Sequence, residues 1–194
     1  MLTQELYLLL RAGNVLEVSE HTALLRDYMD RVGDMDRPQR DNVRVVLSGM
    51  FCEQPPLALV RALEMSGCFV VDDDWMLGNR YQLEDVGTDG DPIQALVDAY
   101  LCGTVSTASR YEPEGDKGRF LINQVRRRKA EGVIFAAPSF CDPALLDRPM
   151  AQTALDQENI PYTAFKYAEN TGQVQVIKEQ TGTFADSLKL WGAQ

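Results

Sequence analysis

One histidine, His21, stands among 194 residues. That scarcity excludes a metal centre built from several histidines, and a Ser-His-Asp or Cys-His relay would have to run through this one ring. His21 falls at an early helix start, Ser19-Glu20-His21-Thr22, and is expected on the surface. Positive charge is also scarce: 19 basic residues face 29 acidic ones, for a formal net charge of −10. Binding a nucleic-acid backbone requires clustered Lys and Arg. The single short basic run, Arg126-Arg127-Arg128-Lys129, reads as a solvated helix face. No apolar stretch approaches the ~20 residues of a membrane span, and the opening residues lack the charged region and cleavage site of a signal peptide. A cytoplasmic, soluble chain is the expectation. Neither a G-x-G-x-x-G nor a Walker A pattern occurs, which argues against ATP or dinucleotide binding. The four cysteines, Cys52, Cys68, Cys102 and Cys141, include no C-x-x-C pair, which excludes a self-contained zinc ribbon or ferredoxin-type cluster run.

What is present is a globular balance, 45% hydrophobic and 25% charged, on a length that suits one domain plus an extension. Residues 1–40 read as a helical lead-in: Leu6, Leu9 and Leu10 share a face, Gly13-Asn14 interrupts, Leu24, Leu25, Tyr28 and Met29 line a second helix, and 33–38 form a linker. From residue 41 to 194 the rhythm is strand–helix. Residues 43–47 form a β-branched run ending at Ser48-Gly49. Pro55-Pro56 opens a helix that Gly67 closes. A second strand at 68–71 runs into Asp72-Asp73-Asp74. Helices follow near 92–102 and 117–130, then a strand at 133–137, a helix at 143–158, a strand at 160–165 and a last helix at 174–190. Alternation of this kind predicts an α/β fold, a flavodoxin-like parallel four-stranded sheet with helices on both faces. With strand order 2-1-3-4, the first and third strands are neighbours, and ligands bind beyond the carboxyl ends of such strands. The two loops there, 49–54 and 137–142, carry Cys52 and Cys141.

Cys141 is the better candidate for chemistry. It lies between a strand and a proline-opened helix, in Ser139-Phe140-Cys141-Asp142-Pro143. A thiolate there is favoured by the helix dipole and free amides, which suits a metal or cluster ligand or a nucleophile; a packed, inert thiol is the alternative. Cys52, beside Met50 and Phe51, has the weaker case, and Cys68 and Cys102 read as core. The three aspartates suit a hard cation or, preferred here, a structural role pairing with Arg80 and nearby amides. Arg80 is also a candidate for an anionic ligand such as a CoA phosphate. Glu53 and Asp142 are the acids nearest the crevice. Flavin binding ranks low, since 49–54 forms no phosphate cradle.

Several of these segments together resemble one family. They are Ser48-Gly49 through Gly67, Val70-Val71-Asp72-Asp73 with Gly78 and Arg80, Glu131-Gly132-Val133-Ile134 through Phe140-Cys141-Asp142, and Asn159-Ile160-Pro161. The family is that of the cluster-bearing subunits of 2-hydroxyacyl-CoA dehydratases and benzoyl-CoA reductases. The closing stretches, 164–172 and 179–186, look closest to its reductase side. The resemblance implies a longer subunit with an upstream α/β domain, this chain being its C-terminal portion. It implies that Cys141 ligates a [4Fe–4S] cluster whose other ligands come from upstream. It implies ATP-driven, ferredoxin-linked reduction of the ring of benzoyl-CoA in an anaerobic cytoplasm, with a homologous cluster-bearing subunit and ATPase electron-activating subunits as partners. Some dehydratases place a cysteine where Trp75-Met76-Leu77 stands and tend toward arginine at Gly182; both departures favour the reductase. A dehydratase subunit and a clusterless interface module remain the alternatives.

Overall fold

The computed structural model describes residues 2–37, 39–49, 55–74, 85–102, 118–168 and 173–191. Four strands, β1 (Val43–Ser48), β2 (Cys68–Asp73), β3 (Gly132–Pro138) and β4 (Tyr162–Tyr167), form one sheet in the order β2-β1-β3-β4. Every pairing is parallel. This is the flavodoxin-like order on which the expected crevice depends. All seven residues of β3 are buried, as a strand covered on both faces must be. Side-chain alternation sorts them: Ile134 and Ala136 join one core, Val133 and Phe135 the other.

Helices supply both covers. On one face lie α1 (Thr3–Ala12), α3 (Leu57–Met65) and α7 (Val174–Trp191), through Tyr7, Leu59, Val60, Leu63, Ile177, Phe184, Ala185 and Leu188. On the other lie α5 (Arg119–Arg128) and α6 (Asp142–Gln157), through Leu121, Ile122, Val125, Ala151 and Leu155. Gly132 opens β3 where a Cβ would meet the Phe184 ring at 2.8 Å and the Pro161 carbonyl at 3.0 Å, so only glycine lets α7 approach this closely.

The lead-in helices join the same body. Tyr7 of α1 is fully buried in the sheet's core. The Thr3 amide donates to the buried Glu64 carboxylate of α3 at 2.8 Å, supplying an acceptor for an otherwise orphan helix N-terminus. Tyr28 of α2 (Val18–Val32) donates to Glu5 at 2.8 Å, and Arg37 pairs with the same carboxylate. His21 is half-buried rather than on the open surface: its ring lies against Gly13 and its Nε2 is 2.8 Å from the Leu9 carbonyl, so it joins α2 to α1.

The basic run is likewise more than a solvated face. Asp72, with a 3% exposed side chain, accepts from Arg127 at 3.0 Å and Arg128 at 2.9 Å, and Arg126 pairs with Glu158 of the turn after α6. Arg44 donates to the Arg128 and Lys129 carbonyls, placing a cation on the negative end of α5. Arg80, the partner expected for the aspartates, lies outside the described residues. Removing both guanidiniums takes two charged partners from a buried carboxylate that keeps its bond from the Asp73 amide, whereas removing the carboxylate leaves half-exposed arginines that rehydrate. The double change Arg127→Met/Arg128→Met is therefore expected to cost roughly 3 kcal/mol. Asp72→Asn should cost about 1 kcal/mol. Urea midpoints at constant slope would measure both.

Cys68 sits in the core as expected, and burial pushes its thiol up to about 12. Cys102, expected in the core, is exposed at the end of α4 (Pro92–Cys102). Cys102 should alkylate readily at pH 8, and Cys68 only after unfolding, as peptide mass spectrometry would show. The raised Cys68 value also has a sign. Below the ordinary value of 9.0 both states hold a neutral thiol and stability is unaffected; above it only the unfolded chain ionises, so stability falls toward pH 12.

Candidate functional site at the carboxyl ends of the strands

The expected crevice lies where β1 and β3 end side by side, with Ser48 opposite Phe135. Two turns shape what is described of it. After β1 the chain enters Gly49 at φ +105, a region that disfavours side chains, and a Cβ there would stand 3.1 Å from the Ala136 carbonyl of β3. From the other side Asp74, just beyond β2, fixes the same turn. Its amide donates to the Leu47 carbonyl at 3.2 Å. Its buried carboxylate accepts from the Ser48 hydroxyl at 2.8 Å and the Gly49 amide at 3.1 Å. Gln124 of α5 adds a bond to the Asp73 carbonyl at 2.9 Å.

The turn after β3 holds the candidate ligand. Ser139 donates through both its amide and its hydroxyl to the Tyr167 carbonyl at the end of β4, at 2.8 and 3.0 Å. The Cys141 amide donates to the Pro138 carbonyl at 3.0 Å, and the Cys141 carbonyl accepts from Leu145 at 3.1 Å, so Cys141 is the N-cap of α6. Asp142 and Pro143 follow in the first turn, an acid and a proline where a helix N-terminus favours them. The Cys141 side chain is 2% exposed, against Ala137, Ala144 and Leu145. Phe140 beside it is 95% exposed, and Asp142 is exposed.

Sequence reasoning thus found the strand end, the helix start and the buried thiol. The opposing loop with Cys52 and Glu53 lies outside the described residues. Among the described residues no group of three or more His, Cys, Asp or Glu side chains converges as a metal site. Among the described residues, Asp72 pairs with arginines and Asp74 holds the Gly49 turn. The Asp74 clamp itself was not anticipated in this form. Its signal was Ser-Gly at one strand end facing an aspartate at the next. A different open depression, lined by Asn159, Ile160, Pro161 and Tyr162, lies at the opposite, amino-terminal edge of β4.

Asp74 chemistry fits turn-holding: a carboxylate accepting a hydroxyl and an amide is a strong, charge-assisted arrangement. Gly49→Ala is expected to cost about 2 kcal/mol through backbone strain. Asp74→Ala should cost a similar amount, about 2 kcal/mol, through the lost charged acceptor. Because both act on one turn, the double change should cost less than the two added. A urea double-mutant cycle checks this; additivity would mean that the turn is not a single unit.

Known proteins bear on this geometry. A family model described as 2-hydroxyglutaryl-CoA dehydratase, D-component, matches residues 1–188. The C subunit of benzoyl-CoA reductase from Thauera aromatica is 54% identical over 188 residues, covering 96% of this chain and 49% of that protein. The beta subunit of (R)-2-hydroxyglutaryl-CoA dehydratase from Acidaminococcus fermentans is 27% identical over 92% of this chain and 48% of its own length. That of (R)-phenyllactyl-CoA dehydratase from Clostridium sporogenes is 25% identical over 92% and 47%. The chain spans about half the length of these curated relatives.

Proposed function

Because the chain belongs to the 2-hydroxyglutaryl-CoA dehydratase D-component family, we propose that it forms part of the iron–sulfur subunit of a benzoyl-CoA reductase. The reaction is ATP-dependent, ferredoxin-linked reduction of the aromatic ring of benzoyl-CoA to a cyclohexadiene-carboxyl-CoA. The observation that carries this reading is 54% identity to a benzoyl-CoA reductase subunit across nearly the whole chain, against 22–27% to the dehydratase subunits. The working enzyme is a hetero-oligomer of an anaerobic cytoplasm. This subunit faces a homologous cluster-bearing subunit, ATPase subunits and ferredoxin supply the electrons, and the CoA thioester binds between the two homologous subunits. Residues 1–40 are a helical lead-in to the α/β domain of 41–194.

Cys141 is the residue proposed to hold a [4Fe–4S] cluster. Its fit rests on three features: a thiol donor, a place at a helix start beyond the carboxyl end of the central strand, and burial among Ala137, Ala144 and Leu145. It is one ligand of a set whose other members come from outside the described residues. A bound cluster supplies single electrons at low potential, tuned by thiolate ligation and seclusion. The protein's own contribution is positional. Pro138 and Ser139 fix the turn, Tyr167 anchors it to β4, and the apolar neighbours keep water from the sulfur. On the far side, Asp74 and Gly49 set the direction in which the opposing loop leaves β1.

A dehydratase subunit, acting on a 2-hydroxyacyl-CoA, is the second reading, supported by the family's name and by the dehydratase relatives. Gly182, where dehydratases tend toward arginine, lies in α7 with the Ser66 carbonyl 3.8 Å away from where its Cβ would be. Ser66 ends α3 at the amino-terminal edge of the sheet, so that position does not line the crevice.

The test is anaerobic. Iron and sulfide content, EPR spectra and activity with benzoyl-CoA and with a 2-hydroxyacyl-CoA are compared for the purified complex and its Cys141→Ser variant. Loss of one [4Fe–4S] signal together with benzoyl-CoA reduction is the expected result. An unchanged cluster and normal turnover would make Cys141 a packed thiol, and activity confined to the 2-hydroxyacyl-CoA would make the protein a dehydratase.

A further inference from the structure

Two cations near the Cys141 turn find no counter-ion among the described residues. On α6, Ala144, Arg148, Ala151 and Leu155 fall at i, i+4, i+7 and i+11, one stripe, and the other three are buried. An arginine therefore stands where the helix otherwise packs alanine and leucine. It is half-buried, and its Nε has neither solvent nor a hydrogen-bond partner among the described residues. The register pairs Lys166 of β4 with Ala137 of β3, so both side chains leave the same face of the sheet. Ala137 packs with Ala144, one turn before Arg148. The two cations thus adjoin the same contact in the layer between α6 and the sheet. Among the described residues neither has a hydrogen bond or an ion pair, whereas Arg37, Arg127 and Arg128 each reach a carboxylate.

We infer that Arg148 and Lys166 form an anion site, and that it receives phosphate oxygens from the coenzyme A end of a thioester. A chain with 29 acidic residues leaves these two unanswered, and like charges held in one layer repel until an anion comes between them. A guanidinium offers a planar fork, and a fork whose Nε is withdrawn from water gains most from two parallel bonds to one oxyanion. Lys166 supplies a point charge on an exposed stem. Two cations suit a dianionic phosphate better than a single carboxylate. Position supports the source. Lys166 precedes Tyr167, whose carbonyl holds Ser139 of the Cys141 turn. Arg148 follows Cys141 by seven residues of helix, about 10 Å along the axis. A coenzyme A thioester likewise keeps its phosphates a long arm away from its reacting carbonyl. The source rests on the proposed function only in being such a thioester, since a dehydratase substrate carries the same phosphates.

The test is calorimetric titration of this chain with coenzyme A, with pantetheine, which lacks the phosphates, and with inorganic phosphate. Coenzyme A should bind at least about tenfold more tightly than pantetheine. Arg148→Met, which keeps the length of the stem, and Lys166→Met should each weaken coenzyme A about tenfold. Arg148→Lys should recover only part of the loss, because it restores the charge without the fork. Melting temperatures are read alongside and should not fall, since each Met variant removes an unpaired charge. If Arg148→Met fails to fold, the exposed position Lys166→Met carries the same comparison. Unchanged affinity in either folded Met variant overturns the inference, leaving Arg148 as a packed stem with a hydrated head. So does a chain that binds coenzyme A no better than pantetheine, or not at all. Inorganic phosphate bound as tightly as coenzyme A, and lost in both variants, overturns the thioester source and assigns the site to free phosphate. Coenzyme A held through Arg148 and Lys166 in a protein that turns over neither a benzoyl nor a 2-hydroxyacyl thioester would strike the proposed function and leave this site standing.

Discussion

Burial of β3 on both faces is the constraint from which the rest of this architecture follows. A strand with seven consecutive buried residues needs hydrogen-bonded neighbours on each side and helices above and below. Parallel neighbours require crossovers, which place α3 on one face and α5 and α6 on the other, and α7, after the last strand, completes the α3 side. Once β1 and β3 are adjacent, their carboxyl ends open onto a common crevice. The turns at Gly49 and Cys141 are therefore brought to that edge by packing requirements located elsewhere. Gly132 shows how tightly the two are linked, since a methyl group at the start of β3 would displace the Phe184 ring of α7.

Charge plays a supporting part that its sign does not suggest. A strongly acidic chain has few cations to spend, and several are used at one end of α5. Arg127 and Arg128 reach the buried Asp72 of β2, while Arg44 of β1 covers the last carbonyls of the helix. The exposed ends of these pairs limit what each contributes, because water competes for the guanidinium. Their value is that the buried carboxylate is not left alone, and removing that compensation is costlier than never having had the pair.

The strands were legible because β-branched runs bounded by Gly, Pro and Asp leave little choice of structure, and their alternation with helices fixed the layers. The placement of Cys141 was legible, since a strand end, a helix start and a thiol coincide in five residues. Two misreadings have physical causes. His21 looked exposed because its neighbours are polar; the missing information was that Gly13 leaves room for its ring against α1. The arginine run is a solvated face as read, and what the sequence hid was its ion pair with Asp72, 55 residues away from Arg127. Cys102 looked buried because it ends an apolar helix, and periodicity gives the apolar face without saying what covers it.

The turn after β3 sets where Cys141 stands, through bonds from Ser139 to the Tyr167 carbonyl and from the Cys141 amide to the Pro138 carbonyl. The elements whose partners lie within the chain, β3, Asp72 and the Gly49 turn, are fully accommodated by hydrogen bonds and packing. Packing and hydrogen bonds inside this domain therefore place the Gly49 and Cys141 turns at one edge of the sheet before any ligand enters the account.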